Sequence, residues 1–473
     1  MLKVAKIPPI HKKDDDSILG NYRPISLLPA ISKVFERVLH NQLQKYLTDN
    51  DLLYHAQYGF RPQHSTTLAS LQLIDQITND MDSNETPLSI YLDMSKAFDT
   101  INHDILLDKL DHYGVHGTTL NLFKDYLSNR RQYVHFDDNN SDQNTINTGV
   151  PQGSILGPLL FIIYINDLPK TCSTFIPIIY ADDTTLYSKL SSFGRNPSNT
   201  INTELDNINT WLKINKLSLN ASKTRFTMCH KLRKGFITPS LQINGTDLEQ
   251  CSTFTFLGLQ INEHLTWTNH IKHISLRISR SIGQLNALKK FLPTRILLTL
   301  YNTIILPHFH YSILAWGSQS HLLSKIQKKC IRITTNSRYN AHTEPLFKKH
   351  KLLKLDDIYK HQILNFHFKL KNRMLPSYFY TFPTTLNNQV HQHNTRRRNI
   401  FPSRVNHEFA KCSLRYKQID LVNSTPNMIL DKINTHSYQG FSKYSKTFYL
   451  NRYETTCNNQ NCFTCNRQAL SII

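Results

Sequence analysis

The chain has 473 residues, of which 40% are hydrophobic, 19% charged and 10% aromatic, too apolar for a disordered polymer and too broken by polar side chains for a membrane protein. Its 55 Lys and Arg against 34 Asp and Glu leave a formal charge of +21, and the excess is one-sided: residues 1–250 carry 24 basic and 26 acidic groups (−2), residues 251–473 carry 31 and 8 (+23). A field of that sign attracts phosphate backbones, and with no long amphipathic basic helix or lipidation signal the expected partner is nucleic acid, not a membrane.

The amino-terminal MLKVAKIPPIHKK lacks a signal-peptide core, so the protein is expected to stay inside the cell. Residues 31–47 space Ile31, Val34, Phe35, Val38, Leu39, Leu43 and Leu47 at threes and fours, which predicts a helix with that face buried. Residues 88–92 read as a short apolar strand ending at Asp93. The stretch 155–165 is the longest apolar one, but Gly157 and Pro158 interrupt it and it falls short of the roughly 20 residues that span a bilayer. Residues 177–180 and 184–187 read as two strands joined by a tight acidic turn, 201–217 as a helix and 224–228 as a strand, an alternation that implies a sheet covered by helices.

From Ile271 the spacing Ile271, Ile274, Ile278, Ile282, Leu285, Leu288 predicts a long amphipathic helix, with His270, Lys272, Arg277 and Arg280 largely off its apolar stripe. Further helical patterns follow at 295–306, 321–332 and 352–371. Polar tracts at 137–147, 191–200, 381–395 and 422–428 read as loops or linkers. SKIQKKCIRI (324–333) and Arg396-Arg397-Arg398 extend the basic surface, while His308/His310 and His391/His393 read as part of an ordinary load of 23 His.

The adjacent carboxylates Asp182 and Asp183, inside IIYADDTTLY, are the feature with the clearest chemical demand. Two like charges between apolar strands repel and lose hydration, a cost that a divalent cation or a proton offsets. Hard oxygen donors select Mg²⁺ or Mn²⁺, and two such ions about 4 Å apart stabilise the attacking and leaving oxygens of a phosphoryl transfer. Asp93, at a strand end, is the best third ligand. The alternative for a bare Asp-Asp is simple turn chemistry.

Taken together, NYRPISLLPAISKVFERVLHNQL, QYGFRPQHST, YLDMSKAFDTINHDILL, TGVPQGSILGPLLFIIYINDL, YADD, LSLNASKT and FTFLGLQI appear in one order across about residues 5–260. The set resembles the reverse transcriptases of non-long-terminal-repeat (LINE-like, jockey-type) retrotransposons. That resemblance implies an α+β right-hand polymerase: fingers at 1–87, a palm with an antiparallel sheet and packed helices at 88–262, a helical thumb and connection at 263–380, and a basic, mostly helical C-terminal region at 381–473. It also implies RNA-directed DNA polymerase activity, with RNA template, DNA primer, their hybrid and dNTPs as partners, two Mg²⁺ (or Mn²⁺) ions as cofactor, and nuclear DNA as the place of action.

Carried over by motif, the resemblance makes Asp93, Asp182 and Asp183 the catalytic metal ligands, with the Met94 carbonyl beside them. Phe98 becomes the ring beneath the nucleotide sugar that excludes a 2′-hydroxyl, and Gln152 the residue that positions the templating pair. Lys223 falls near the departing pyrophosphate, and Arg23, Lys33 and Arg61 in the finger blocks that grip triphosphate and template. Tyr180, with Ala181, shapes the turn beside the primer, and Phe256, Leu257 and Gly258 match the strand pair that holds the primer end. The tail Cys457-x4-Cys462-x2-Cys465 looks like part of a zinc knuckle; three ligands are visible, and His436 or Cys412 would have to complete a structural site.

Autonomous members of that family carry an endonuclease ahead of the polymerase, whereas this chain starts almost at the first finger block, so target nicking is expected to come from elsewhere. The rival expectation is a truncated, catalytically silent remnant that only binds nucleic acid. An RNA-copying RNA polymerase, which Asp93-x5-Asp99 would also suit, is a further alternative.

Overall fold

The computed structural model describes residues 2–12, 15–95, 97–231, 238–384, 400 and 404–455. Their contacts gather the chain into two compact units that do not follow its linear order: 1–69, 86–228 and 233–251 form the first, and 70–85, 229–232 and 252–473 the second.

In the first unit, β1 (Val4–Ile7), β2 (Pro9–His11) and β3 (Tyr22–Pro24) precede α1 (Ala30–Asp49) and the first turn of α2 (Thr66–Asp82). Then come β4 (Pro87–Leu92), β5 (Met94–Ser95), α3 (His103–His112), α4 (Gly117–Leu127), β6 (Arg130–Phe136), β7 (Asn139–Asn140), β8 (Asn144–Ile146), α5 (Gly157–Tyr164), β9 (Ile176–Tyr180), β10 (Asp183–Lys189) and α6 (Pro197–Ile214). The unit closes with β11 (Ser218–Leu219), β12 (Arg225–Met228), β13 (Gln242–Ile243), β14 (Thr246–Asp247) and β15 (Glu249–Gln250).

Five strands form the sheet that matters most, in the order β15-β12-β4-β10-β9, with β4 at its centre and antiparallel to both neighbours. Leu88, Ile90 and Leu92 of β4 share one core with Leu106 and Leu110 of α3, Ile162 and Ile163 of α5, and Leu205, Ile208 and Leu212 of α6. Each such side chain contributes roughly 1.5–3 kcal/mol by leaving water. Every residue of α5 except Pro158 is buried. A helix apolar on all sides belongs inside a core, which accounts for the apolar stretch at 155–165. Among the described residues no helix is long and apolar enough to cross a membrane.

The second unit is mostly helical. After the hairpin β16 (Thr253–Phe256) and β17 (Leu259–Asn262) come α7 (Thr268–Leu288), α8 (Thr294–Leu300), α9 (Leu306–His310), α10 (Ile313–Trp316), α11 (Ser324–Thr334), α12 (Glu344–Lys349) and α13 (Leu355–Lys371), and later helices at Leu414–Ser424 and Tyr438–Asn451. Two α2 carboxylates tie distant sequence together within this unit: Asp75 accepts from Arg415 Nη2 and Tyr378 Oη, each at 2.7 Å, and Asp82 from the His407 amide at 2.8 Å.

Five expectations need correction. Helix α1 forms, but Ile31, Val34, Phe35 and Val38 are exposed while Ser32 and Glu36 are buried, so its inward face in this half is the polar one. His270 faces inward, packed edge-on to Trp267 and Trp316 at 6.3 and 5.8 Å, where burial drives its pKa down to about 4. The tract 137–147 contains β7 and β8, and 191–200 contains the start of α6 at Pro197, a residue whose fixed φ suits a helix's first turn. Likewise 422–428 overlaps helices that end at Ser424 and restart at Asn427. Arg396–Arg398 and His391/His393 lie outside the described residues.

Candidate active site

The acidic turn is the two-residue loop of the β9–β10 hairpin, closed by the pair Tyr180↔Asp183 and leaving Ala181 and Asp182 at its tip. On its other side β10 pairs with β4 in the register Thr184↔Leu92. Continued by one position, that register sets Asp93 opposite Asp183, so the three carboxylates meet at one end of the sheet. They sense one another. Burial first, then Asp182 and Asp93, raise the Asp183 pKa to about 6, although its side chain keeps access to solvent at the rim. Asp182 is also raised, chiefly by burial and further by Asp93; a hydrogen bond from its own backbone and the Arg23 cation oppose the rise.

The donor set is all oxygen. β5 and β11 pair with Met94 opposite Leu219, and the Asn220 amide donates to the Asp93 carbonyl at 2.8 Å. Alternation along an antiparallel ladder then turns the Met94 carbonyl away from β11. Three mutually repelling carboxylates, short of compensating charge, fit a hard divalent cation.

The turn is held from outside by Gln57 and Gly59, to which the motifs assign no role. The backbone of 56–58 lies along β9, with Tyr58 N donating to Ile179 O (2.7 Å) and Ile179 N to Ala56 O (3.0 Å). This places the buried Gln57 so that its Oε1 accepts from Gly59 N at 2.8 Å and Ala181 N at 3.2 Å. Ala181 sits at φ 55°, a left-handed conformation that costs an L-residue roughly 1–2 kcal/mol, so the Gln57 bond helps to fix a strained tip. A Cβ on Gly59 would come within 2.5 Å of Ala181 N. Gly59→Ala is therefore expected to displace the turn and lower kcat about 100-fold with circular dichroism unchanged, since a shift of the order of 1 Å in a reacting group costs about that much.

Phe98 stacks on Phe161 of α5 (centroids 4.5 Å apart, planes at 26°), stands nearly perpendicular to Phe60 at 6.4 Å and is half-buried. The Gly149–Gly153 loop is stitched to the same segment: Gly149 N donates to Ile101 O (2.7 Å) and Val150 N to Phe98 O (2.9 Å). Gly149 has φ 83°, and a Cβ there would strike the Asp99 carbonyl at 2.7 Å. Gln152 Nε2 donates to Asp99 Oδ1 at 2.9 Å, and the Ser26 amide donates to the Gln152 carbonyl at 2.6 Å. A second positioning residue is Glu36, whose carboxylate accepts from the Ile155 amide (2.6 Å) and Tyr126 Oη (2.9 Å), anchoring the loop's far end.

The remaining candidates are less concentrated. Arg23 is exposed on β3, yet its charge reaches Asp182. Lys33 is half-buried in the first turn of α1, and Lys223 is exposed in the turn between β11 and β12. The Arg61 guanidinium donates to the Tyr54 carbonyl at 2.7 Å, so it braces the 54–61 loop. Leu257 and Gly258, both at positive φ, form the two-residue loop of the β16–β17 hairpin in the second unit, where the Tyr311 hydroxyl donates to the Leu257 carbonyl. Cys457, Cys462 and Cys465 lie outside the described residues; Cys412 is exposed and free.

Residues 10–261 match the family model described as reverse transcriptase (RNA-dependent DNA polymerase). The chain is 30% identical over 411 residues to the probable RNA-directed DNA polymerase from transposon BS of Drosophila melanogaster, covering 79% of this chain and 44% of that protein. It is 27% identical over 375 residues to the RNA-directed DNA polymerase from mobile element jockey of the same species, covering 75% and 40%. It thus spans less than half the length of these relatives. Among solved structures, apo telomerase from Candida tropicalis superposes with a TM-score of 0.43 at 13% identity, covering 80% of this chain and 69% of that one.

Proposed function

The chain belongs to the reverse transcriptase family, with relatives in non-LTR retrotransposons, and from that premise we propose that it extends a DNA primer on an RNA template. The carrying observation is the strand register that sets Asp93 opposite Asp183, beside Asp182 at the hairpin tip. In the reaction a primer 3′-hydroxyl attacks the α-phosphate of a dNTP and pyrophosphate leaves. Magnesium bound by the three carboxylates and the Met94 carbonyl would supply Lewis-acid charge for that displacement.

The other residues orient substrate. Arg23, whose charge favours the ionised Asp182, would meet the triphosphate. In this reading the Phe98 ring, backed by Phe161, lies beneath the sugar, Gln152, hydrogen-bonded to Asp99, positions the templating pair, and Lys223 offers a cation to the leaving group. Exposed Lys272, Arg277 and Arg280 on α7, and Lys325, Lys328 and Lys329 on α11, form a surface for an RNA·DNA backbone. The fingers, palm and thumb boundaries, the primer-holding role of Leu257 and Gly258, and nuclear DNA as the target are part of the same proposal. The silent-remnant alternative has the same basic surface but requires no carboxylate convergence.

Purified protein given poly(rA)·oligo(dT), dTTP and Mg²⁺ is expected to incorporate nucleotide. With Mg²⁺ limiting, incorporation should rise as pH passes through about 6. Below that value the raised Asp183 carries a proton that competes with the cation, so the Mg²⁺ requirement grows about tenfold per pH unit. Saturating Mg²⁺ should move the inflection down. Absence of incorporation at every pH would favour the remnant.

A further inference from the structure

Outside the polymerase centre, the second unit brings together three side chains that no described interaction of the reaction uses: His230, Glu263 and His264. We propose that they form a zinc-binding clip, a site distinct in donor chemistry from the carboxylate trio. Their ligand atoms all lie within 4.8 Å of one another, and all three residues are half-buried. On a tetrahedral zinc with bonds near 2.0–2.1 Å, neighbouring ligand atoms stand about 3.4 Å apart. Closing the cluster around an ion therefore asks for side-chain torsions of the order of 1 Å, with the backbone left in place.

The backbone is already fixed for this. His230 N donates to Glu263 O at 3.0 Å and Glu263 N to Ser252 O at 2.9 Å, so the segment that follows Cys229 is docked against the end of β17. The turn after β17 is closed by Asn262, whose Oδ1 accepts from Thr266 N and whose Nδ2 donates to Thr266 Oγ1, both at 2.8 Å.

The histidine geometry is what points to a metal. His264 Nδ1 lies 2.9 Å from the His230 carbonyl, an acceptor only, so Nδ1 is the donor there and Nε2 is the ring nitrogen left to bind a metal. Carbonyls that accept from the ring nitrogen away from the metal fix metal-bound imidazoles in this way. That Nε2 faces Glu263 Oε1 at 3.8 Å, beyond hydrogen-bond length, and the His230 ring stands edge-on to the His264 ring with centroids 4.6 Å apart. Two imidazoles and one carboxylate make a set that zinc takes with water in the fourth position, and nitrogen donors disfavour Mg²⁺. Bound zinc would clip residues 229–231 to the turn after β17.

The test uses the full chain with Cys457→Ser, Cys462→Ser and Cys465→Ser, so that tail thiols cannot contribute, and excess Mg²⁺ to occupy the carboxylate trio. Titration with Co²⁺ as a spectroscopic stand-in should give one tetrahedral ion per chain, with visible d–d bands and no thiolate charge transfer, and Zn²⁺ should displace it. His264→Ala and His230→Ala should each weaken Zn²⁺ binding by about 100-fold or more, since loss of a ligand exceeds the 10–100-fold effect of losing an outer-shell partner. Glu263→Gln, which keeps the shape of the side chain, should weaken binding in the same direction if either histidine variant misfolds. No tetrahedral spectrum in the chain without its three tail cysteines, or the same affinity in Glu263→Gln and both histidine variants, would overturn the site. Neither outcome depends on polymerase activity.

Discussion

Asp182→Ala is expected to abolish primer extension, lowering kcat by about a thousandfold or more, while the protein stays folded. The expectation of an intact fold follows from the electrostatics. Asp182 occupies a hairpin tip, and its charge raises the Asp183 pKa, so in the metal-free protein it opposes Asp183. Removing it relieves like-charge repulsion, and Asp183 should titrate closer to an ordinary carboxylate. The variant should therefore melt no earlier than the wild type in EDTA. It should also lose the stabilisation that Mg²⁺ gives the wild type, because a ligand stabilises only the state that binds it. Extension by Asp182→Ala at the wild-type rate would reject the polymerase reading. Loss of activity together with early melting in EDTA would instead point to misfolding, and Asp182→Asn, nearly the same in shape, would then separate charge from structure.

How much of this was legible in the sequence depends on how local the cause was. The strand before Asp93 and the two strands around Asp182 and Asp183 read correctly because apolar runs and a turn are short-range signals. Helix α7 is legible for a similar reason: its stripe is buried as spaced from Ile271 to Leu285, although Leu288, the last position of the predicted stripe, is exposed. His270 is not, because periodicity gives the direction of a side chain and not what waits there; Trp316, 46 positions later in the chain, supplies the pocket. In α1 the apolar periodicity was real but its first half is not the inward face. Glu36 took that face because Ile155 N and Tyr126 Oη offer its carboxylate two hydrogen bonds, which offsets the cost of burying it. Gln57 and Gly59 lay inside a quoted motif, yet their function, holding a turn 124 positions away, exists only in three dimensions. The one sequence signal was a Gly two residues after a Gln.

Phe98→Val should cost discrimination more than speed: the preference for dNTP over rNTP in kcat/KM is expected to fall about 100-fold, while dNTP incorporation falls only a few-fold. The ring's placement is why. Phe161 supports one face at 4.5 Å and Phe60 stands nearly perpendicular to the ring at 6.4 Å, contacts that resist a swing of Phe98 away from a sugar that carries an extra hydroxyl. A wall excludes a group only if it is stiffer than the group is costly to move, and two aromatic contacts give that stiffness. Valine keeps the apolar floor but is too short to reach the 2′ position, so the hydroxyl gains room. Because Phe98 is half-buried, the truncation should cost about 2 kcal/mol of stability, less than loss of a fully buried ring. Phe161→Leu provides the complementary measurement: with its support gone, the unchanged Phe98 should discriminate less well. If both variants extend primers and still reject rNTPs as the wild type does, the ring is core packing and the sugar is read elsewhere.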